Sequence, residues 1–175
     1  FNKINVLNNS SIKNAFLQIN VIKVKADWTK PNEKIKKFLE NNKKFGIPYN
    51  NTIEIFEKAR QFANLKVSGI AVHIGSQLTD LKPFERTFLK IAELVPQLRL
   101  KGHDIRTLDL GGGIGIAYSK TTKTIDLIEY GKLIKRILGH LDCSFEFEPG
   151  RLLVGNAGLL VSSVIYKKFL QERNF

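Results

Sequence analysis

Apolar residues recur along this chain at two spacings. From Asn51 onward Ile53, Phe56, Ala59 and then Phe62 or Ala63 fall three or four apart, as on one face of a helix, and Asn51 or Thr52 is suited to cap it. Val67–Ile74 (VSGIAVHI) is a short continuous apolar run, the pattern of a buried parallel strand. Phe84, Phe88, Ile91, Ala92 and Val95 form a second helical stripe. Pro83 fits its first position, and Pro96 is placed to end or kink it before Gly102. Ile105–Leu110 (IRTLDL) predicts another strand that runs straight into Gly111-Gly112-Gly113. Ile125–Leu138 predicts a third helix with Gly139 just past its end. Ser144–Glu148 predicts a strand closing on Glu148-Pro149-Gly150-Arg151.

The first fifty residues are less regular. Ala15–Val24 (AFLQINVIKV) reads as a strand. Lys30 to Asn50 is Lys-rich and carries Pro31, Gly46 and Pro48, which predicts mostly loop with room for one short helix. The tail from Asn156 to Tyr166 is apolar and β-prone, then turns polar. Strands alternating with helices at this spacing predict an α/β fold of parallel βαβ units. In such folds ligands bind at the C-terminal strand ends. Three successive predicted strands end there in His73-Ile74-Gly75-Ser76, the glycine triplet and Glu148-Pro149-Gly150-Arg151.

Composition narrows the classes. With 175 residues, 43% of them hydrophobic, the chain affords one packed domain. No apolar run reaches the roughly 18 residues of a membrane span. A lone cysteine, Cys143, excludes an internal disulfide framework and fits a reducing compartment. With no secretory leader visible, the expected location is the cytoplasm. The formal charge of +12 invites a nucleic-acid reading. Lysines are spread along the chain, however, with crowding only at Lys34, Lys36, Lys37, Lys43 and Lys44, and no zinc-finger, RNP-like or helix-turn-helix pattern is present. The expectation is a solvated basic surface with neither a nucleic-acid nor a membrane partner. Methionine is wholly absent and the chain starts at Phe1, so the chain is expected to be a piece of something longer.

Candidate chemistry sits at the three strand ends, and each residue carries two readings. Gly111, Gly112, Gly113 and Gly115 let backbone N–H groups approach a phosphate, or they serve a tight turn that needs positive φ. Neither G-x-G-x-x-G nor a P-loop is met. His73 is a satisfied core residue or a ligand-facing ring; Ser76 is a phosphate-binding hydroxyl or a helix cap. His103 and His140 lie beside glycines at predicted helix ends, where solvent exposure accounts for both. No His, Cys and carboxylate spacing resembles a metal site. Strand alternation sets Glu146 and Glu148 opposite Phe145 and Phe147. Glu148 is suited to anchor a cationic group and Arg151 to hold a carboxylate or phosphate, unless the two simply pair across the turn.

His73-Ile74-Gly75-Ser76-Gln77, Leu108-Asp109-Leu110-Gly111-Gly112-Gly113 and Glu148-Pro149-Gly150-Arg151, in this order, strongly resemble the diaminopimelate decarboxylase family, within the alanine-racemase-like fold type of pyridoxal phosphate enzymes. Lys44-Phe45-Gly46-Ile47 and Asn156-Ala157-Gly158 are similar to that family as well. The resemblance covers roughly residues 44 to 166 well and the first 43 poorly. It implies part of a (β/α)8 TIM-like barrel with pyridoxal 5'-phosphate at its C-terminal face. His73 would stack on the pyridine ring, and Ser76 with the Gly111, Gly112 and Gly113 backbone would hold the phosphate. Glu148, at the head of Pro149-Gly150-Arg151, would bind the pyridine nitrogen and keep it protonated. Arg151 would face the phosphate and the substrate's acidic groups. The implied reaction is decarboxylation of meso-diaminopimelate to lysine, in an enzyme that is a homodimer with shared active sites. Relatives acting on ornithine or arginine share the skeleton.

The departures from the family are specific. Its covalent lysine lies on an early barrel strand reading about Tyr-Ala-Val-Lys-Ala-Asn. Val24-Lys25-Ala26-Asp27 imitates that stretch too close to His73, and Ile19-Asn20 beside it resembles a later strand. Lys25 is therefore not assigned, and no catalytic residue is. Between Lys25 and Lys44 an expected His-x-x-Ile-x-Thr-Gly run is replaced by lysine-rich sequence. The family's C-terminal β-domain supplies a Cys and a Tyr; Cys143 precedes the Glu-Pro-Gly-Arg motif and is not that Cys. Residues 1–50 are thus expected to be a divergent part of the barrel and 51–155 its βα units with the cofactor motifs. Residues 156–175 are expected to begin the connection to the β-domain. A remnant without decarboxylase activity remains the alternative.

Overall fold

In a computed structural model the described residues are 18–20, 24–26, 46–62, 65–166, 169–170 and 173–174. Lys30–Phe45, most of Ala15–Val24 and the Lys25 side chain lie outside them. The strands are β1 (Gln18–Asn20), β2 (Val24–Ala26), β3 (Ile47–Pro48), β4 (Leu65–Val67), β5 (Gly69–Val72), β6 (Thr107–Asp109) and β7 (Ser144–Glu146), with β8 (Phe169–Leu170) and β9 (Arg173–Asn174) pairing near the C-terminus. The helices are α1 (Thr52–Arg60), α2 (Lys82–Leu100), α3 (Leu127–Leu138) and the short α4 (Gly150–Val154).

The main sheet runs β3-β1-β5-β6-β7. β5, β6 and β7 are parallel, with Ala71 opposite Asp109 and Asp109 opposite Glu146. β1 lies antiparallel between β3 and β5. A helix follows each parallel strand, giving three consecutive βα units, as the alternation predicts, and these fit the partial (β/α)8-type barrel that the family resemblance implies.

Burial alternates along these strands. Ile70, Val72, Leu108 and Leu110 pack into a core with Phe84, Phe88, Ile91, Val95 and Leu98 of α2 and Ile134, Ile137 and Leu138 of α3. Side chains at alternate positions point to opposite faces of a strand. Ala71, Thr107, Asp109 and Glu146 fall on the other face and are half-buried. Only one face is apolar, which explains why IRTLDL mixes polar residues into a strand.

Several expected boundaries move. The run Val67–Ile74 is two strands, not one: Val67 belongs to β4, which pairs with β2, while β5 starts at Gly69. A Cβ on Gly69 would come within 2.6 Å of the Thr107 carbonyl oxygen, so the strands approach closely at the break. Neither Asn51 nor Thr52 caps α1 through its side chain. A 3₁₀ turn over Tyr49–Asn51 leads into the helix, leaving Asn51 right-handed, and Thr52 Oγ1 donates to Pro48 O at 3.4 Å. Pro96 does not end α2, which continues to Leu100. It is exposed, so its ring meets solvent and the buried face is uninterrupted.

α3 begins at Leu127, where Asp126 accepts hydrogen bonds from the N–H groups of Ile128 (2.8 Å) and Glu129 (3.4 Å). Those bonds occupy N–H groups that a first helical turn leaves unpaired. Gly139 at its C-terminal end stays right-handed; the left-handed residue is Asp142, after a 3₁₀ turn. From Asn156 to Tyr166 there is no strand, because no partner edge lies beside it among the described residues. Leu159, Leu160 and Ile165 are almost fully exposed there.

Candidate functional site

The parallel strands end together. β5 leads into His73-Ile74-Gly75-Ser76-Gln77, β6 through Leu110 into the glycine triplet, and β7 through Phe147 into Glu148-Pro149-Gly150-Arg151. Backbone bonds lace the middle loop to both neighbours. Leu110 N–H donates to Glu146 O at 2.9 Å and Glu148 N–H to Gly111 O at 2.8 Å. On the other flank Leu78 N–H donates to Gly113 O and Gly115 N–H to Leu78 O, each at 2.8 Å.

The glycines are dictated by this approach. A Cβ on Gly111 would lie 2.1 Å from Val72 O, on Gly112 1.9 Å from Glu148 O, and on Gly113 1.9 Å from Gly75 O. Those distances are far inside van der Waals contact, and Gly111 and Gly113 also hold φ of +67° and +84°. The turn reading is therefore true of the triplet, and it leaves room for the other reading. Gly111 N–H donates to Asp109 Oδ1 at 2.9 Å, whereas Gly112 and Gly113 have no N–H acceptor among the described residues. The same contacts bring His73 and Ser76 alongside: their Cα atoms lie 3.4 and 3.7 Å from the Cβ positions of Gly111 and Gly113.

His73 and Ser76 are exposed, so His73 is not a buried core histidine. Glu148 is exposed too, and its carboxylate has no partner among the described residues. The alternative that Glu148 and Arg151 pair with each other fails. Arg151 Nη1 instead donates to Gln77 Oε1 at 3.1 Å, and Gly150 N–H closes the turn onto Glu148 O at 2.9 Å. Pro149 precedes α4, at whose start Gly150 and Arg151 lie.

The sequence pattern assigns Gln77 no role of its own. Its Nε2 donates to Ile116 O at 2.6 Å and its Oε1 accepts from Ile116 N–H at 3.3 Å. The signal for it was only its place directly after the Gly-Ser turn.

The other histidines are not part of this group. His103 is buried, against expectation, because α1 covers it: Nε2 lies 3.0 Å from Glu57 Oε1 and its ring meets Phe56 edge-on at 5.4 Å. His140 is exposed. An open cavity of about 620 Å³ lies at the other end of the strands, lined by Arg99, Asp104, Arg106, Asp142 and Cys143. Three of its charged groups are already engaged. Arg99 donates to Leu141 O (2.7 Å) and Ile105 O (2.6 Å), and Arg106 pairs with Asp104 at 2.7 Å. Burial pushes the Cys143 thiol up despite Arg99 beside it.

A sequence model of the pyridoxal-dependent decarboxylase family, covering its pyridoxal-binding domain, matches residues 3–155. The chain belongs to this family. Pyridoxal phosphate is the family's cofactor, and the match begins well before the motifs at residues 73–151, so the irregular N-terminal residues belong to it as well. The diaminopimelate decarboxylase of Zymomonas mobilis is 46% identical over 133 residues, 75% of this chain and 32% of that protein. The chain spans about a third of the length of the curated relatives it matches.

Among solved structures, the diaminopimelate decarboxylase of M. jannaschi matches with a TM-score of 0.64 and 31% identity, covering 90% of this chain and 37% of that one. The Helicobacter pylori diaminopimelate decarboxylase complexed with L-lysine gives 0.57 and 37%, covering 60% and 26%. Among the described residues no helix is long and apolar enough to cross a membrane.

Proposed function

We propose that this chain is the cofactor-binding part of a diaminopimelate decarboxylase, converting meso-diaminopimelate to lysine with pyridoxal 5'-phosphate. The observation that carries the reading is the donor set at the three strand ends. The N–H groups of Gly112 and Gly113 have no other acceptor among the described residues, and the Ser76 hydroxyl is exposed beside them. Arg151 is held through one nitrogen by a neutral amide. Such an array of donors suits a phosphate ester; the nearby Asp109 carboxylate occupies only the Gly111 N–H. Glu148, unpaired and exposed, suits a protonated ring nitrogen, and the exposed imidazole of His73 offers a flat face.

When bound, the cofactor acts as an electron sink for the pair released as carbon dioxide leaves. His73 orients the ring by stacking. Glu148 holds the proton on the ring nitrogen. Ser76 and the N–H groups of Gly112 and Gly113 bind the phosphate together with Arg151, whereas the Gly111 N–H expected to join them is taken by Asp109 Oδ1, and Arg151 also meets an acidic group of the substrate. The covalent lysine is not assigned to this chain, so the proposed activity is that of the intact protein. The family resemblance further supports a homodimer with shared active sites in the cytoplasm, to be checked by light scattering and by cell fractionation.

Titration with pyridoxal 5'-phosphate, followed by its absorbance, tests the reading. We expect saturable binding, weakened about tenfold or more in Glu148→Ala, since one lost charge-assisted bond is worth roughly 1.5–3 kcal/mol. The intact protein is expected to release lysine from meso-diaminopimelate in preference to decarboxylating ornithine or arginine. Failure to bind would remove the cofactor role; preference for ornithine or arginine would move the chain to another branch of the family.

A further inference from the structure

We propose that Gln77 is a positioning residue that holds the Arg151 guanidinium at the mouth of the site for an oxyanion, without neutralising it. This rests on the cofactor reading above. The amide of Gln77 is used at both ends. Nε2 donates to Ile116 O (2.6 Å), while Oε1 accepts from Ile116 N–H (3.3 Å) and from Arg151 Nη1 (3.1 Å). The two-point contact with the Ile116 backbone fixes the plane of the amide, and so fixes where its oxygen presents itself to the arginine. Arg151 is exposed and bonded at one nitrogen, so this acceptor biases where the planar guanidinium sits and leaves its other N–H groups free for a ligand.

Two features support a role beyond packing. Gln77 has φ of +60°, a conformation non-glycine residues rarely adopt. A glycine would take it without strain, so the backbone conformation by itself does not call for the Gln77 side chain. The acceptor is also an amide rather than a carboxylate. A Glu at this place would form an ion pair and cancel the charge that an anionic ligand needs; an amide orients the same group and leaves its charge available. The clasp joins the segments that follow β5, β6 and β7, since Gln77 and Ile116 lie in two different loops and Arg151 at the start of α4.

The oxyanion is either the cofactor phosphate or a substrate carboxylate, and the test separates them. Gln77→Glu, Gln77→Gly, Arg151→Gln and the Gln77→Glu/Arg151→Gln pair are prepared in the intact protein. Each is titrated with pyridoxal 5'-phosphate and with pyridoxal, which lacks the phosphate. Activity on diaminopimelate is then measured at saturating cofactor.

If the phosphate is the ligand, Gln77→Glu and Gln77→Gly weaken pyridoxal 5'-phosphate about tenfold, the worth of one charge-assisted bond, and leave pyridoxal unchanged. If the substrate carboxylate is the ligand, cofactor affinity holds while KM rises about tenfold with kcat little changed. In either case Gln77→Glu adds no loss in the Arg151→Gln background. Equal losses for pyridoxal and its phosphate, or additive losses in the pair, would show a merely structural role and overturn the proposal. Should the wild type bind no cofactor, the parent reading fails by itself. The Arg151 side-chain N–H signals in an NMR spectrum then decide the positioning: ordered in the wild type and averaged in Gln77→Gly if the proposal holds, and the same in both if it does not.

Discussion

Gly112 and Gly131 are the same residue for opposite reasons. A Cβ on Gly112 would meet Glu148 O at 1.9 Å, whereas one on Gly131, inside α3, would meet nothing within 4 Å. Gly112→Ala forces two strand ends apart and is expected to cost about 1–3 kcal/mol or more. Gly131→Ala removes unfolded-state freedom from a helix interior and is expected to add up to about 1 kcal/mol. Urea unfolding midpoints of the two variants check both signs; equal effects would mean that the close approach at Gly112 is not a constraint. The triplet itself was legible in the sequence as a turn after a strand. The reason for Gly112 was not, because the atom it avoids belongs to a residue brought near only by β6 and β7 pairing. His103 illustrates the same gap: its neighbour Gly102 suggested an exposed turn, and α1 arriving from earlier in the chain buries it.

The helices α2 and α3 meet through an aromatic cluster centred on Tyr130. Its ring lies 5.1 Å from Phe84, 6.0 Å from Phe88 and 6.4 Å from Phe147, so the contact also ties in the loop after β7. Burial pushes the Tyr130 phenol from 10.0 up to about 12. The folded state therefore keeps a proton that the unfolded chain gives up first. Stability from this group is complete below pH 10.0 and is lost as pH rises towards 12. We expect the unfolding free energy to fall across that window and Tyr130→Phe to flatten the fall; an unchanged slope in the variant would assign it to other groups. Helical spacing made α1, α2 and α3 readable from the sequence because a single buried stripe repeats along each. The strands were harder. Apolar continuity ran through Ser68, and only pairing, β4 with β2 and β5 with β6, divides the run.

Across the whole molecule, three loops from separate parts of the chain form one rim, and the proposed ligand touches all of them. Binding to such a rim stabilises the folded state by mass action. At about a hundred times its Kd, pyridoxal 5'-phosphate is expected to add roughly 2.7 kcal/mol, seen as a concentration-dependent rise in Tm. Pyridoxal at the same concentration is expected to give a smaller rise, because it leaves the phosphate donors unmet. Equal rises would dissociate the glycine loop from phosphate binding. The charge of +12 is compatible with this anion but does not locate it; the location comes from the strand ends.

The sequence alone determined the fold class, the three helices and the identity of the three motifs, since periodicity and the chemistry of short segments are local properties. It also carried the family resemblance, because motif order survives in one dimension. Only the tertiary structure decided which backbone bonds lace the motifs together at the rim the sequence predicts, that Arg151 turns to Gln77 rather than Glu148, and that each glycine of the triplet faces a carbonyl of a neighbouring strand end or loop. Those are contacts between segments far apart in the chain, and they exist only once parallel pairing brings the strand ends to one side.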